Sequence, residues 1–352
     1  MTKKLKTITQ LCSLLITQLI FISCSTVTYE KIYPTLGDGK YDSEFPYIHS
    51  SEELQKITET VQRINSTGFY DTYFFNIEDE VTLNDLHNNP VKNLAVETDY
   101  ADQSSSGTAT IIYHNEGKVA LLTCAHVVNY PDTIVTYFWD AEGNSTQFLE
   151  TVCIKDKQVI YAAGFPEGSY LEIITLDTKL DIAIIGRSYP ILMNYKFPVF
   201  AYPTGKAQEL DWGTFVYVFG YPMNYQMITK ALVSSPNRDS GGSFLLDAVV
   251  NHGYSGGIVL AIKDGIPNFE LVGIVQWVPK EEEYYLGPLR RKNNQPYNSL
   301  VPYEGESYVK RHSNIKYGIA KIIAIESIIE FLENNKSALF DRGYYLENFI
   351  KK

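Results

Sequence analysis

Gly253-Tyr254-Ser255-Gly256-Gly257 sets a serine among glycines, directly before the apolar run Ile258-Val259-Leu260. A serine hydroxyl is a poor nucleophile at neutral pH. It becomes a good one when an imidazole takes its proton and a carboxylate holds that imidazole in the right tautomer. Working outward, Leu121-Leu122-Thr123-Cys124-Ala125-His126 ends an apolar run in a histidine, and Leu180-Asp181-Ile182-Ala183-Ile184 places an aspartate at the mouth of another. The chain thus offers one residue of each kind, in the order His, Asp, Ser. The glycines have their own use: the amides of Gly253 and Ser255 must converge on one small space to hold an oxyanion, which side chains there would obstruct.

Each residue has a plainer reading. A lone histidine after an apolar run is more often a satisfied core residue, and a serine between strands is more often part of a turn. It is their joint occurrence that selects His126 as general base, Asp181 as its orienting carboxylate and Ser255 as nucleophile. An unpaired carboxylate entering Ile182-Ala183-Ile184-Ile185 is expensive to bury, and His126 supplies the partner. Asp177, four residues earlier in a more polar context, is the rival and reads as a turn residue.

These segments resemble the trypsin-like serine endopeptidases, and most closely their bacterial Deg/HtrA-type branch. The resemblance runs from about Ser104 to Phe331. It takes in Ser106-Gly107-Thr108, the Thr-x-Ala-His segment, Asp181-Ile182-Ala183, Gly220-Tyr221-Pro222, Asp247-Ala248, Gly-x-Ser-Gly-Gly and Tyr317-Gly318-Ile319-Ala320. It implies an all-β fold of two packed six-stranded antiparallel barrels with a C-terminal helix. The histidine and aspartate belong on the first barrel, the serine on the second, and polypeptide substrates in the cleft. Three features depart from the pattern: Cys124 stands where a small residue is usual, Tyr254 where Asp or Asn precedes the serine, and no length remains for a PDZ domain. Relatives of this branch are often trimers, so the resemblance also admits a trimer.

In this fold the primary substrate pocket is walled by the segment before the serine, Ala248 to His252, and by Gly273-Ile274-Val275-Gln276-Trp277. The expected lining is therefore Val249, His252, Ile274 and Gln276, with His252 on the rim. Val249, Val250 and Ile274 are apolar and no acid stands at the base, which predicts a small or medium apolar residue before the scissile bond. The competing reading is a binding lipoprotein that keeps the fold without the chemistry, for instance because Tyr254 distorts the oxyanion loop.

Composition fits a globular, two-lobed chain: 352 residues, 45% hydrophobic and 20% charged. A formal net charge of −11 with no clustered Lys/Arg face argues against nucleic acid or an anionic membrane surface as partner. No His-Glu-x-x-His pattern and no glycine-rich phosphate loop is present, so no metal and no cofactor is expected.

At the start, Lys3, Lys4 and Lys6 precede an apolar stretch from about Ile8 to Ile22 that ends at Ser23-Cys24-Ser25. This is shorter than the roughly 20 residues a membrane span requires and reads as an export signal. Phe21-Ile22-Ser23-Cys24 looks like a lipobox, so residues 1–23 are expected to be a lipoprotein signal peptide and Cys24 the lipidated N-terminus. The protein is then an exported cell-envelope lipoprotein. In such a compartment Cys124 and Cys153 can form a disulfide or stay as buried thiols.

Residues 24–50 read as a tether and 51–103 as an N-terminal extension with one helix. The helix opens with the capping pattern Ser50-x-x-Glu53 and carries Leu54, Ile57, Val61 and Ile64 toward Ser66-Thr67-Gly68. From 104 to 335, short apolar runs between turn signals read as the protease domain, all-β. Within it, 280–313 reads as a solvated insertion loop, and Ile322, Ile325, Ile328, Ile329 and Leu332 as a terminal helix. Residues 336–352 form a tail.

Overall fold

The computed structural model describes residues 37–350 apart from 47, 141, 167–169, 191–194, 278–279, 289–299, 301, 303–306 and 316–317. The signal segment and Cys24 lie outside the described residues.

Seven strands build the first sheet: β1 (Val61–Phe74), β2 (Glu97–Asn115), β3 (Lys118–Thr123), β4 (Thr133–Trp139), β5 (Ser145–Ala162), β6 (Tyr170–Asp177) and β7 (Ile182–Ser188). Their order is β1-β2-β3-β7-β6-β5-β4, and a further pairing of β1 with β5 closes six of them into a barrel with β4 on its flank. The second barrel closes in the order β10-β15-β12-β11-β8-β9. Its strands are β8 (Phe215–Gly220), β9 (Met227–Ser235), β10 (Phe244–Ala248), β11 (Ile258–Ile262), β12 (Phe269–Trp277) and β15 (Gly318–Ala324). Strands β3, β7, β8 and β11 are apolar on both faces because one face fills a barrel and the other is covered in turn; residues 119–123, 182–186, 215–220 and 258–262 are all buried. The expected all-β, two-barrel, trypsin-like fold is the one observed.

The N-terminal helix α1 spans Ser51–Thr60 and buries Ile57. It stops eight residues short of Gly68, because from Val61 the chain is β1. Val61 and Ile64 are buried as expected, but as strand residues paired with Thr110 and Gly107. The β-branched Val61, Ile64 and Thr67, offered two open partner strands, favour extension over another two helical turns. A strand lying between residues 51 and 103 thus closes the first barrel. Tyr41 and Asp42, within the segment read as a tether, lie on the second barrel: Asp42 N–H donates to Ile262 O at 2.9 Å and Phe215 N–H to Asp42 O at 2.9 Å.

Two other expectations change. Residues 280–313 are not simply a solvated loop, since β13 (Lys280–Pro288) and β14 (Ser307–Ile315) pair antiparallel as a separate ribbon. The terminal helix α2 covers Ile325–Asn334 and buries Ile325, Ile328, Phe331 and Leu332, while Ile322 belongs to β15. Cys124 and Cys153 are free thiols.

Candidate active site

The single helical turn Ala125–Val128 after β3 carries His126. Asp181 sits in the turn before β7 with a positive φ of 61°, a left-handed conformation that Asp tolerates better than most residues. That turn is held by Asp177, whose Oδ1 accepts from the amides of Lys179 at 2.7 Å and Leu180 at 2.9 Å, the role expected of it. Asp181 then grips the histidine segment at three points. Its carbonyl accepts from Ala125 N at 3.2 Å, its Oδ1 from His126 N at 2.9 Å, and its Oδ2 pairs with His126 Nδ1 at 2.8 Å. An ionised carboxylate only accepts, so the proton lies on Nδ1, and Nε2 of the neutral ring is left as a base. The Asp181 side chain is 14% exposed and that of His126 45%, so the carboxylate is sheltered while the ring reaches the surface.

Ser255 follows β10 on the second barrel. Its hydroxyl donates to the carbonyl of Gln276 at 3.3 Å, a long bond that is readily given up. The serine backbone is locked to the first barrel, because Thr108 N donates to Ser255 O at 2.8 Å. Two glycines allow this approach: a Cβ on Gly107 would lie 2.7 Å from Val127 Cγ1 and 3.1 Å from Ser255 O, and one on Gly256 would lie 2.2 Å from Thr108 O and 3.1 Å from Cys124 N. The serine and histidine segments therefore meet through β2.

In the oxyanion loop, Gly253 has φ 102°, and a Cβ there would come within 2.2 Å of Tyr221 O. The carbonyl of His252 accepts from Met223 N at 3.0 Å and that of Tyr254 from Gly257 N at 2.7 Å. In a trans peptide N–H and C=O point opposite ways. The amides of Gly253 and Ser255 are thereby turned from those carbonyl partners, and among the described residues neither has an acceptor. Tyr254 is buried against Gly220 and its hydroxyl bonds Thr229 Oγ1, so it anchors the loop instead of deforming it.

The expected pocket residues separate. Gln276 stays at the site through its carbonyl, and His252 is exposed on the rim. Val249, beyond the end of β10, is 76% exposed and projects into solvent rather than lining a pocket. Ile274 is fully buried, paired with Ile258 across β11 and β12, and belongs to the hydrophobic core. Thr108 and the turn at Tyr221 to Met223 are site residues whose roles the sequence did not disclose; the quoted Ser106-Gly107-Thr108 and Gly220-Tyr221-Pro222 were the available signal.

Cys124, His126 and Asp181 offer donor atoms within 4.8 Å of one another. The Cys124 thiol is a poor metal ligand, however: it is buried, donates to Val275 O at 3.2 Å, and burial together with the Asp181 charge holds it protonated by raising its pKa.

Residues 107–274 match the trypsin-like peptidase domain. Among solved structures, the HtrA-type protease AlgW with a decapeptide is similar at 14% identity and a TM-score of 0.44, over 82% of this chain and 67% of that one. AlgW with a tripeptide gives 15% and 0.42, over 82% of this chain and 64% of that one. An inactive form of Rv3671c from M. tuberculosis H37Rv gives 14% and 0.40, over 84% and 97%. This chain therefore spans about two thirds of the length of the AlgW chains. Curated proteins gave no match. The matched residues 107–274 run from β2 of the first barrel to β12 of the second, so the resemblance to a trypsin-like peptidase domain extends across both.

Proposed function

We propose that the protein is an exported, membrane-anchored serine endopeptidase that cleaves polypeptides through an acyl-enzyme at Ser255. The observation that carries this reading is the His126–Asp181 pair at 2.8 Å, set beside a serine loop with two unengaged amides. In the reactive conformer the Ser255 hydroxyl turns from Gln276 O to His126 Nε2. As Oγ attacks the scissile carbonyl, Nε2 takes its proton, and Asp181 stabilises the imidazolium without itself being protonated. The carbonyl oxygen gains charge and is held by the Gly253 and Ser255 amides. The tetrahedral intermediate collapses, His126 gives the proton to the leaving amine, and the ester of Ser255 remains. Water deprotonated by His126 then repeats the sequence and frees the acid.

One ground for the rival reading, an inactive binding lipoprotein, was distortion of the oxyanion loop by Tyr254. The buried, hydrogen-bonded Tyr254 removes that motive. Export and anchoring are supported by Lys3, Lys4 and Lys6, the apolar stretch after them and Ser23-Cys24.

A fluorophosphonate probe tests the chemistry: it should label the wild type at Ser255. Ser255→Ala and His126→Ala should each lose roughly 10⁶-fold in kcat, and Asp181→Asn about 10⁴-fold. A folded wild type that the probe does not label, or peptide turnover undiminished in Ser255→Ala, would end the proposal.

A further inference from the structure

Resting on that reading of Ser255, we infer that Thr108 is a positioning residue that holds the oxyanion hole in register with the His126–Asp181 pair. It stands on β2 of the first barrel, completely buried, yet three of its groups face the machinery. Its amide donates to Ser255 O at 2.8 Å, its hydroxyl donates to Gly253 O at 2.6 Å, and its carbonyl accepts from Thr123 Oγ1 at 2.7 Å. The proton assignment is fixed by a fourth contact. Tyr221 N–H donates to Thr108 Oγ1 at 3.0 Å, so the hydroxyl's single proton is free for Gly253 O.

The geometry makes this bond more than a core contact. Three peptide units, 252–253, 253–254 and 254–255, set the direction of the two oxyanion amides. The first and third are tied by main-chain bonds to their carbonyls, from Met223 N and Gly257 N, both within the second barrel. The carbonyl of the middle unit is tied by the Thr108 hydroxyl, a side chain from the opposite barrel. Thr123, which holds Thr108 from behind, lies on β3 three residues before His126. One unbroken run of buried hydrogen bonds thus joins the histidine segment to the loop that receives the oxyanion. Donors fixed in advance stabilise developing charge without reorganising, whereas a loop free to rotate at Gly253 loses that advantage in the transition state more than in the ground state.

The test compares Thr108→Val, which keeps the shape and removes the hydroxyl, with Thr108→Ser, which restores it. Turnover of a peptide substrate is measured per active site titrated with fluorophosphonate. Thr108→Val should lose roughly 10- to 100-fold in kcat with KM changed less than about 2-fold. Affinity for a peptide boronate, a transition-state analogue, should fall in parallel, while binding of uncleaved peptide in a Ser255→Ala background stays unchanged. Thr108→Ser should recover most of the kcat. A merely structural role would lower the melting temperature and the titratable fraction but leave kcat per titrated site intact, and that result would overturn the inference. Should Thr108→Val not fold, Thr108→Ser and Thr123→Val carry the test: the first must retain, and the second must lose, kcat per site. A labelled wild type with an indifferent Thr108→Val removes this inference alone, whereas an unlabelled wild type removes the reading of Ser255 with it.

Discussion

At the scale of single residues, Tyr254 shows how one position is misjudged from sequence. Beside a catalytic serine, a bulky aromatic where Asp or Asn is usual suggests a deformed loop. Its ring instead fills space left by Gly220, and its hydroxyl finds Thr229, a partner on β9 that no local pattern announces. Burial raises the pKa of that hydroxyl, so it stays protonated. Tyr254→Phe should keep the loop and its kinetics and lose about 1 kcal/mol of stability, the ordinary worth of a hydrogen bond. Denaturant titration beside kcat measures both; a large fall in kcat at unchanged stability would contradict the anchoring role. His126, Asp181 and Ser255 could be singled out in the sequence because the chemistry proposed for them requires particular residue types in particular company. Thr108 was not, because a threonine hydroxyl reveals its use only when the opposite barrel is in place. Val249 and Ile274 come apart for a related reason: apolar residues near a cleft look alike in sequence, and only the folded chain leaves Val249 76% exposed and Ile274 fully buried.

At the scale of elements, β1 carries the main lesson. Its helical-looking apolar spacing was overridden by pairing with β2 along its whole length and with β5 on the other side. Local periodicity cannot register partners that lie some forty and ninety residues away in the sequence, and tertiary pairing wins over propensity. A chain beginning at Ser104 lacks this strand and exposes the edges of β2 and β5. It should show no cooperative thermal transition and should aggregate, whereas a chain beginning at Gly37 should melt sharply; circular dichroism and sedimentation decide. The N-terminal strap on the second barrel has its own signature. Asp42 is pushed up to about 6 from 3.8, first by burial and then by the charges of Glu44, Asp264 and Asp38, against the opposing bond from Gly265 N. A carboxyl whose folded pKa is raised binds its proton more tightly when folded. Its contribution is fully present below about pH 4 and is lost as pH rises through about 6, a difference worth at most about 3 kcal/mol. Asp42→Asn should flatten the fall in melting temperature between those two pH values; an unchanged slope would refute the linkage.

At the scale of the whole molecule, the two-barrel plan was readable because short apolar runs recur between turn signals without long helices. The ribbon of β13 and β14 was hidden because its sequence groups Glu281-Glu282-Glu283 and Tyr284-Tyr285-Leu286 instead of alternating polar with apolar, the pattern by which strands are recognised. The proposed anchoring rests on the N-terminal segment with Lys3, Lys4, Lys6 and Cys24. If Cys24 carries the lipid, the wild type should partition into detergent, held by more than one acyl chain, since a single chain binds only reversibly. Cys24→Ala should stay in the aqueous phase. Mass spectrometry finding an unmodified or different mature N-terminus would refute the assignment.

The bond from Thr108 N to Ser255 O stitches one barrel to the other at the point where the nucleophile sits. Neither barrel contains a complete set of reacting groups: one holds an acid–base pair with nothing to activate, the other a serine with nothing to activate it. On the proposed reading of Ser255, a chain that is still being made is chemically silent. The proposed proteolytic power would then arrive only with the closing of the seam, folding would itself be the safety catch, and a partly unfolded molecule would be disarmed before it could digest its neighbours.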